Sequence, residues 1–74
     1  MIRWGLKDAL DEYGITAYRL SEELRGKVSR NTIYAMARGD GSRVDLATLN
    51  AVLTTLHKLT GKSIGIETIL IFET

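Results

Sequence analysis

Thr16-Ala17-Tyr18-Arg19-Leu20-Ser21-Glu22-Glu23-Leu24, then Arg25-Gly26-Lys27-Val28, then Ser29-Arg30-Asn31-Thr32-Ile33-Tyr34-Ala35-Met36-Ala37-Arg38: this stretch decides the fold. Ala17, Leu20 and Leu24 recur at helical spacing, and Gly26 breaks the run. Ile33, Met36 and Ala37 repeat the pattern and stop before Gly39. Thr16 and Ser29 each stand just ahead of an apolar series, where a hydroxyl can accept from an otherwise unpaired helix N–H. The spacing predicts two short helices, residues 16–24 and 29–38, joined by a tight glycine-containing turn.

The flanks read the same way. Upstream, Leu6, Leu10 and Tyr13 share one helical face, while Lys7, Asp8, Asp11 and Glu12 cover the other. Gly14 is a natural stop, since it takes a left-handed conformation without a Cβ clash. Downstream, Gly39-Asp40-Gly41-Ser42 is turn chemistry throughout. Asp45 then suits the N-cap of a fourth helix, whose apolar face is Leu46, Leu49, Val52, Leu53, Leu56 and Leu59 and whose stop is Gly61. The last stretch is rich in β-branched and aromatic side chains: Ile64, Ile66, Ile69, Leu70, Ile71 and Phe72. It predicts a helical turn over 65–68 and a strand over 70–73. Residues 1–4 are the candidate for a second short strand that partners it. Ile2, Trp4, Ile69, Ile71 and Phe72 are the candidates for pairing the two ends or for a homodimer seam, because exposed strand edges tend to be paired or covered. The predicted fold is mainly α, a compact four- to five-helix bundle with a short two-stranded pairing of the N- and C-terminal ends.

Composition narrows the function. The chain has 74 residues, room for a single domain with a small core. Hydrophobic residues make up 45% and charged residues 26%, ordinary for a folded soluble domain. Cysteine is absent and His57 is the only histidine, so neither disulfides nor a thiolate or histidine metal cluster is expected, and no cofactor. With those groups missing there is no nucleophile–base–orienter set, which argues against an enzyme. The acids Asp8, Asp11 and Glu12 read as a solvated helix face beside Lys7. Gly39-Asp40-Gly41 lacks the lysine and the following helix of a phosphate-cradling loop. No apolar run approaches the ~20 residues of a membrane span. Met1 to Tyr13 carries charge throughout, unlike a signal peptide, so the expected compartment is the cytoplasm.

Charge is unevenly spread. The net charge is +1. Between residues 19 and 43, however, six bases (Arg19, Arg25, Lys27, Arg30, Arg38, Arg43) face three acids (Glu22, Glu23, Asp40). A basic middle between more acidic flanks suits a polyanion.

Two short helices packed at a steep angle form a helix-turn-helix unit, here spanning about 16–38. Its second helix fits the major groove of DNA and offers its first residues to the base edges. The residues suit that place. Arg30 can donate two parallel bonds to guanine O6 and N7, and Asn31 can pair with adenine N6 and N7. Thr32 offers a hydroxyl or a methyl, and Tyr34 lies one turn along. Thr16 sits where a phosphate meets a helix N-terminus. Arg19, Lys27, Arg38 and Arg43 can neutralise further phosphates, which position a protein without reading sequence.

The arrangement resembles the Cro/C1-type (XRE-like) helix-turn-helix family of phage repressors and small bacterial regulators. The residues that carry the resemblance are Ile15-Thr16-Ala17-Tyr18-Arg19-Leu20-Ser21, Val28-Ser29-Arg30-Asn31-Thr32-Ile33-Tyr34, Ala37-Arg38-Gly39 and Val44-Asp45-Leu46-Ala47-Thr48-Leu49. The resemblance covers about residues 2–60. It implies a bundle of four or five helices, operator binding and usually a dimer. It also implies base or nearby phosphate contacts for Ser29, Arg30, Asn31 and Tyr34, and a phosphate contact for Thr16. One departure stands out: the family spaces the second-helix leucine about seven residues from the third-helix cap, whereas Leu20 to Ser29 is nine. Arg25-Gly26-Lys27 therefore looks like part of a two-residue expansion, which either shifts the recognition helix or lengthens the second helix by half a turn.

The expected function is a sequence-specific DNA-binding transcriptional regulator, a repressor, that pairs with double-stranded DNA as a homodimer. The alternative is a protein-interaction module, an antitoxin or adaptor, with the 63–74 stretch as its apolar patch for a partner protein. Trp4 is expected to pack in the core or against a partner, Tyr13 and Tyr18 to pack with a wet hydroxyl, and His57 to sit on the surface of the fourth helix.

Overall fold

The computed structural model describes residues 1–41 and 43–74; Ser42, the last residue of the predicted turn, lies outside them. In chain order the elements are β1 (Ile2–Trp4), α1 (Leu6–Tyr13), α2 (Ala17–Glu23), α3 (Arg30–Arg38), α4 (Leu46–Thr60), a 3₁₀ turn (Ile66–Thr68) and β2 (Leu70–Phe72). Three of the four α-helices start at the polar cap expected of them. Thr16 Oγ1 accepts from the Arg19 N–H at 2.9 Å, Ser29 Oγ from the Thr32 N–H at 3.1 Å, and Asp45 Oδ1 from the Thr48 N–H at 2.6 Å. Each of these contacts satisfies an N–H that the helix itself leaves unpaired.

α1 begins differently. Gly5 precedes it with no side-chain cap, and its N–H donates to the Ile69 carbonyl at 2.6 Å. A Cβ at Gly5 would lie 2.5 Å from Ile71 Cδ1 and 2.7 Å from the Thr68 carbonyl oxygen. Glycine is therefore required because the C-terminal segment crosses directly over this point.

That crossing closes the chain. β1 and β2 pair antiparallel in the register Ile2↔Phe72, Arg3↔Ile71, Trp4↔Leu70. The Glu73 N–H extends the ladder to the Met1 carbonyl at 2.7 Å. The terminal strands and the turn around 65–68 thus form where the β-branched and aromatic residues predicted them. Ile69 takes another role: it lies ahead of β2 and is fully buried in the core. It belongs neither to the strand pair nor to a surface seam, because the 3₁₀ turn points it inward just before the strand begins. Ile71 is half-buried, and Ile2 and Phe72 are 68% and 69% exposed.

One core joins all the helices: Leu6 and Leu10 of α1, Leu20 of α2, Leu24 and Val28 of the turn, Ile33 and Met36 of α3, Leu49, Val52 and Leu56 of α4, and Ile69. Burying one such side chain contributes about 1.5–3 kcal/mol. The radius of gyration is 11.2 Å, close to the roughly 11 Å of a compact chain of this length. No helix among the described residues is long and apolar enough to cross a membrane.

Two side chains depart from their expected packing. Leu46 is 80% exposed. It occupies the first position of α4, on the flank of a stripe centred on Leu49, Val52 and Leu56. Tyr18 is 58% exposed. The inward face of α2 is Ala17, Leu20 and Ser21, and Tyr18 lies about 100° around the helix from Ala17. His57 is exposed on α4, as expected.

Candidate nucleic-acid interface

α2 and α3 are packed together by Leu20, Leu24, Val28 and Ile33, all buried. The connection between them is longer than a minimal one, and the structure shows where its extra length goes. α2 still ends at Glu23, so the helix is not extended. The chain instead turns through 24–27, with Gly26 at φ +85°, a conformation open to glycine at little cost. The N–H groups of Lys27 and Val28 both reach back to the Leu24 carbonyl, at 2.9 and 3.0 Å. Leu24 and Val28 thereby enter the core from the two ends of the turn, which makes the turn a packed part of the molecule rather than a loose loop.

The turn delivers the start of α3 to solvent. Ser29, Arg30, Asn31 and Thr32 are all exposed, whereas Ile33 and Met36 face inward. At 100° per residue, Arg30, Asn31, Tyr34 and Arg38 fall within about 100° of one another, with Asn31 and Arg38 opposite the buried side of α3 and Arg30 at its edge beside Glu22 of α2. Ser29 and Thr32 are partly occupied with each other: their hydroxyl oxygens are 2.7 Å apart, in addition to the cap. Arg30 and Asn31 are therefore the side chains in that turn best placed to project outward.

Two open grooves flank α3. One, of about 690 Å³, is lined by Thr16, Tyr34 and Arg38 together with Lys7, Asp11 and Asp40. It brings together three side chains that the sequence assigns to one ligand. The other, of about 740 Å³, is lined by Thr32 and Arg43 with Met36, Val44, Asp45 and Thr48. Asp45 holds its carboxyl below the usual carboxylate range, chiefly because the Thr48 N–H, then the Thr48 hydroxyl, hydrogen-bond to it.

The arginines of the basic middle are mostly paired. Arg19 meets Glu23 at 3.4 Å and Arg38 meets Asp40 at 3.0 Å. Arg30 meets Glu22 at 3.4 Å, and Arg25 donates to the same carboxylate at 3.0 and 3.2 Å. Among the described residues, Lys27 and Arg43 form no salt bridge. Glu22 is the residue sequence reasoning missed. Its i,i+3 spacing to Arg25 was visible in the sequence, but its contact with Arg30, eight residues on, needs the turn to fold first.

The strand-pairing candidates lie apart from these residues. Trp4 is half-buried, and its indole N–H donates to the Gly41 carbonyl at 3.0 Å, which ties the loop after α3 to the terminal sheet. Arg3, on the opposite face, pairs with Glu73 at 2.9 Å and Asp8 at 3.6 Å. No family model, curated protein or solved structure matches this chain.

Proposed function

We propose that the chain is a sequence-specific DNA-binding transcriptional regulator of the Cro-like kind, with α2 and α3 as its helix-turn-helix unit and α3 as the recognition helix. The observation that carries the reading is the solvent-facing first turn of α3, with Arg30 and Asn31 projecting from a helix whose other face is locked into the core. An arginine and an asparagine at the tip of a rigid helix are the donors that read guanine and adenine in the major groove. Thr16, Tyr34 and Arg38 around one groove supply polar contacts beside it, and Lys27 and Arg43 supply positive charge for phosphates. Bound at an operator, such a protein represses by occupancy.

A single short helix reads only a few base pairs, so the active form is a homodimer with two recognition helices one DNA turn apart, roughly 34 Å. The protomer measures 33 × 24 × 20 Å, a size that lets two copies side by side meet that spacing. Selection of bound sequences from a random DNA pool tests the reading. A palindromic enriched site, with binding that weakens steeply as salt rises, is the expected result. No enrichment would overturn it.

One observation favours a second reading, a protein-interaction module of the antitoxin or adaptor kind. Ile2 and Phe72 lie directly opposite each other on the terminal sheet, and both are exposed. Stable co-purification with a specific protein, without salt-sensitive DNA binding, would support it over the first.

A further inference from the structure

Glu22 sits in the last turn of α2, and its side chain is only 30% exposed. Arg25 Nη2 donates to both of its carboxylate oxygens, and Arg30 Nη2 reaches it from across the turn. Two guanidinium groups therefore share one carboxylate, and the three side chains together carry +1 where the arginines alone would carry +2. The contact to Arg30 uses one nitrogen of its fork. A guanidinium has five N–H donors, so others stay available.

We propose that Glu22 is a specificity-determining positioning residue, which screens Arg25 and Arg30 from phosphates while leaving the Arg30 fork able to read guanine. This rests on the DNA-binding reading given above. The physical basis is the difference between the two kinds of contact. Attraction to phosphate is Coulombic and sequence-independent, and it dominates non-specific binding. A carboxylate beside the arginines cancels part of that attraction and repels an approaching phosphate. Guanine O6 and N7 are uncharged acceptors whose bonds depend on direction. The carboxylate opposes these far less, and by holding Arg30 from one side it restricts the orientations open to the fork. Glu22 thus weakens the indiscriminate mode more than the reading mode.

The test compares the wild type with Glu22→Gln, which keeps the shape and removes the charge. Each is titrated against the selected site and against a random duplex of equal length over a salt series. Affinity for the random duplex should rise about two- to fivefold, the scale of an exposed ion pair. Its log–log salt slope should steepen by about 0.9, one phosphate gained. Affinity for the selected site should change less, so the ratio of the two falls. In an Arg30→Ala background the same substitution should move both affinities together and leave the ratio alone. Unchanged affinities and slope, or a parallel loss on both duplexes as damaged packing would give, overturn the proposal while wild-type binding leaves the DNA reading standing. A wild type that binds no duplex in a salt-sensitive way overturns both.

Discussion

At the scale of single residues, the weight falls on the first turn of α3. Arg30 is exposed at the start of the helix and, among the described residues, pairs with Glu22. If it reads guanine, Arg30→Ala should cost about 1–3 kcal/mol on the selected site and little on random DNA. An equal loss on both, measured by equilibrium titration, would reassign Arg30 to a phosphate. These positions were legible in the sequence because a cap residue fixes where a helix starts, and the start fixes which residues project. Ser29 and Thr16 do this through bonds to backbone N–H groups three residues on, a purely local geometry. Glu22 was not legible for the opposite reason. Its partner Arg30 becomes a neighbour only after α2 and α3 have packed. Tyr18, expected to pack with a wet hydroxyl, is instead exposed because it falls off the stripe of Ala17, Leu20 and Leu24.

At the scale of elements, the four α-helices fall where caps and apolar spacing put them, and the connection between α2 and α3 is the part that needed the structure. Leu24 closes the apolar stripe that periodicity predicts, but the burial of Val28 depends on the backbone path through Gly26. Periodicity carries no information about such a path. The start of α4 yields a test of how caps work here. The folded Asp45 carboxyl titrates below its unfolded value, so its contribution is present above the unfolded pKa, about 4, and is lost as pH falls through the lower folded value. Asp45→Asn keeps an oxygen to cap the helix but cannot titrate. The gap in Tm between wild type and Asp45→Asn, followed by circular dichroism, should narrow as pH drops below about 4. A gap that stays constant or widens would show that charge at this cap adds nothing.

At the scale of the whole molecule, the two ends of the chain meet and cover the core, with Ile69 beneath them and Gly5 at the crossing. That the ends would pair was legible from their β-branched and aromatic character. That Ile69 would turn inward was not, since its depth is set by the 3₁₀ turn before it. Ile2 and Phe72 project from the finished sheet, and a homodimer built there should depend on them. Phe72→Ser should leave the monomer folded and shift sedimentation toward the monomer, whereas an unchanged oligomeric state would move the seam elsewhere. The bond from the Trp4 indole to the Gly41 carbonyl has a practical consequence as well. Trp4 is the only tryptophan in the chain, so all indole fluorescence comes from the joint between the terminal sheet and the loop that follows α3. Its emission reports on that joint: opening of the sheet and global unfolding can each be followed in real time, in solution, without attaching a dye.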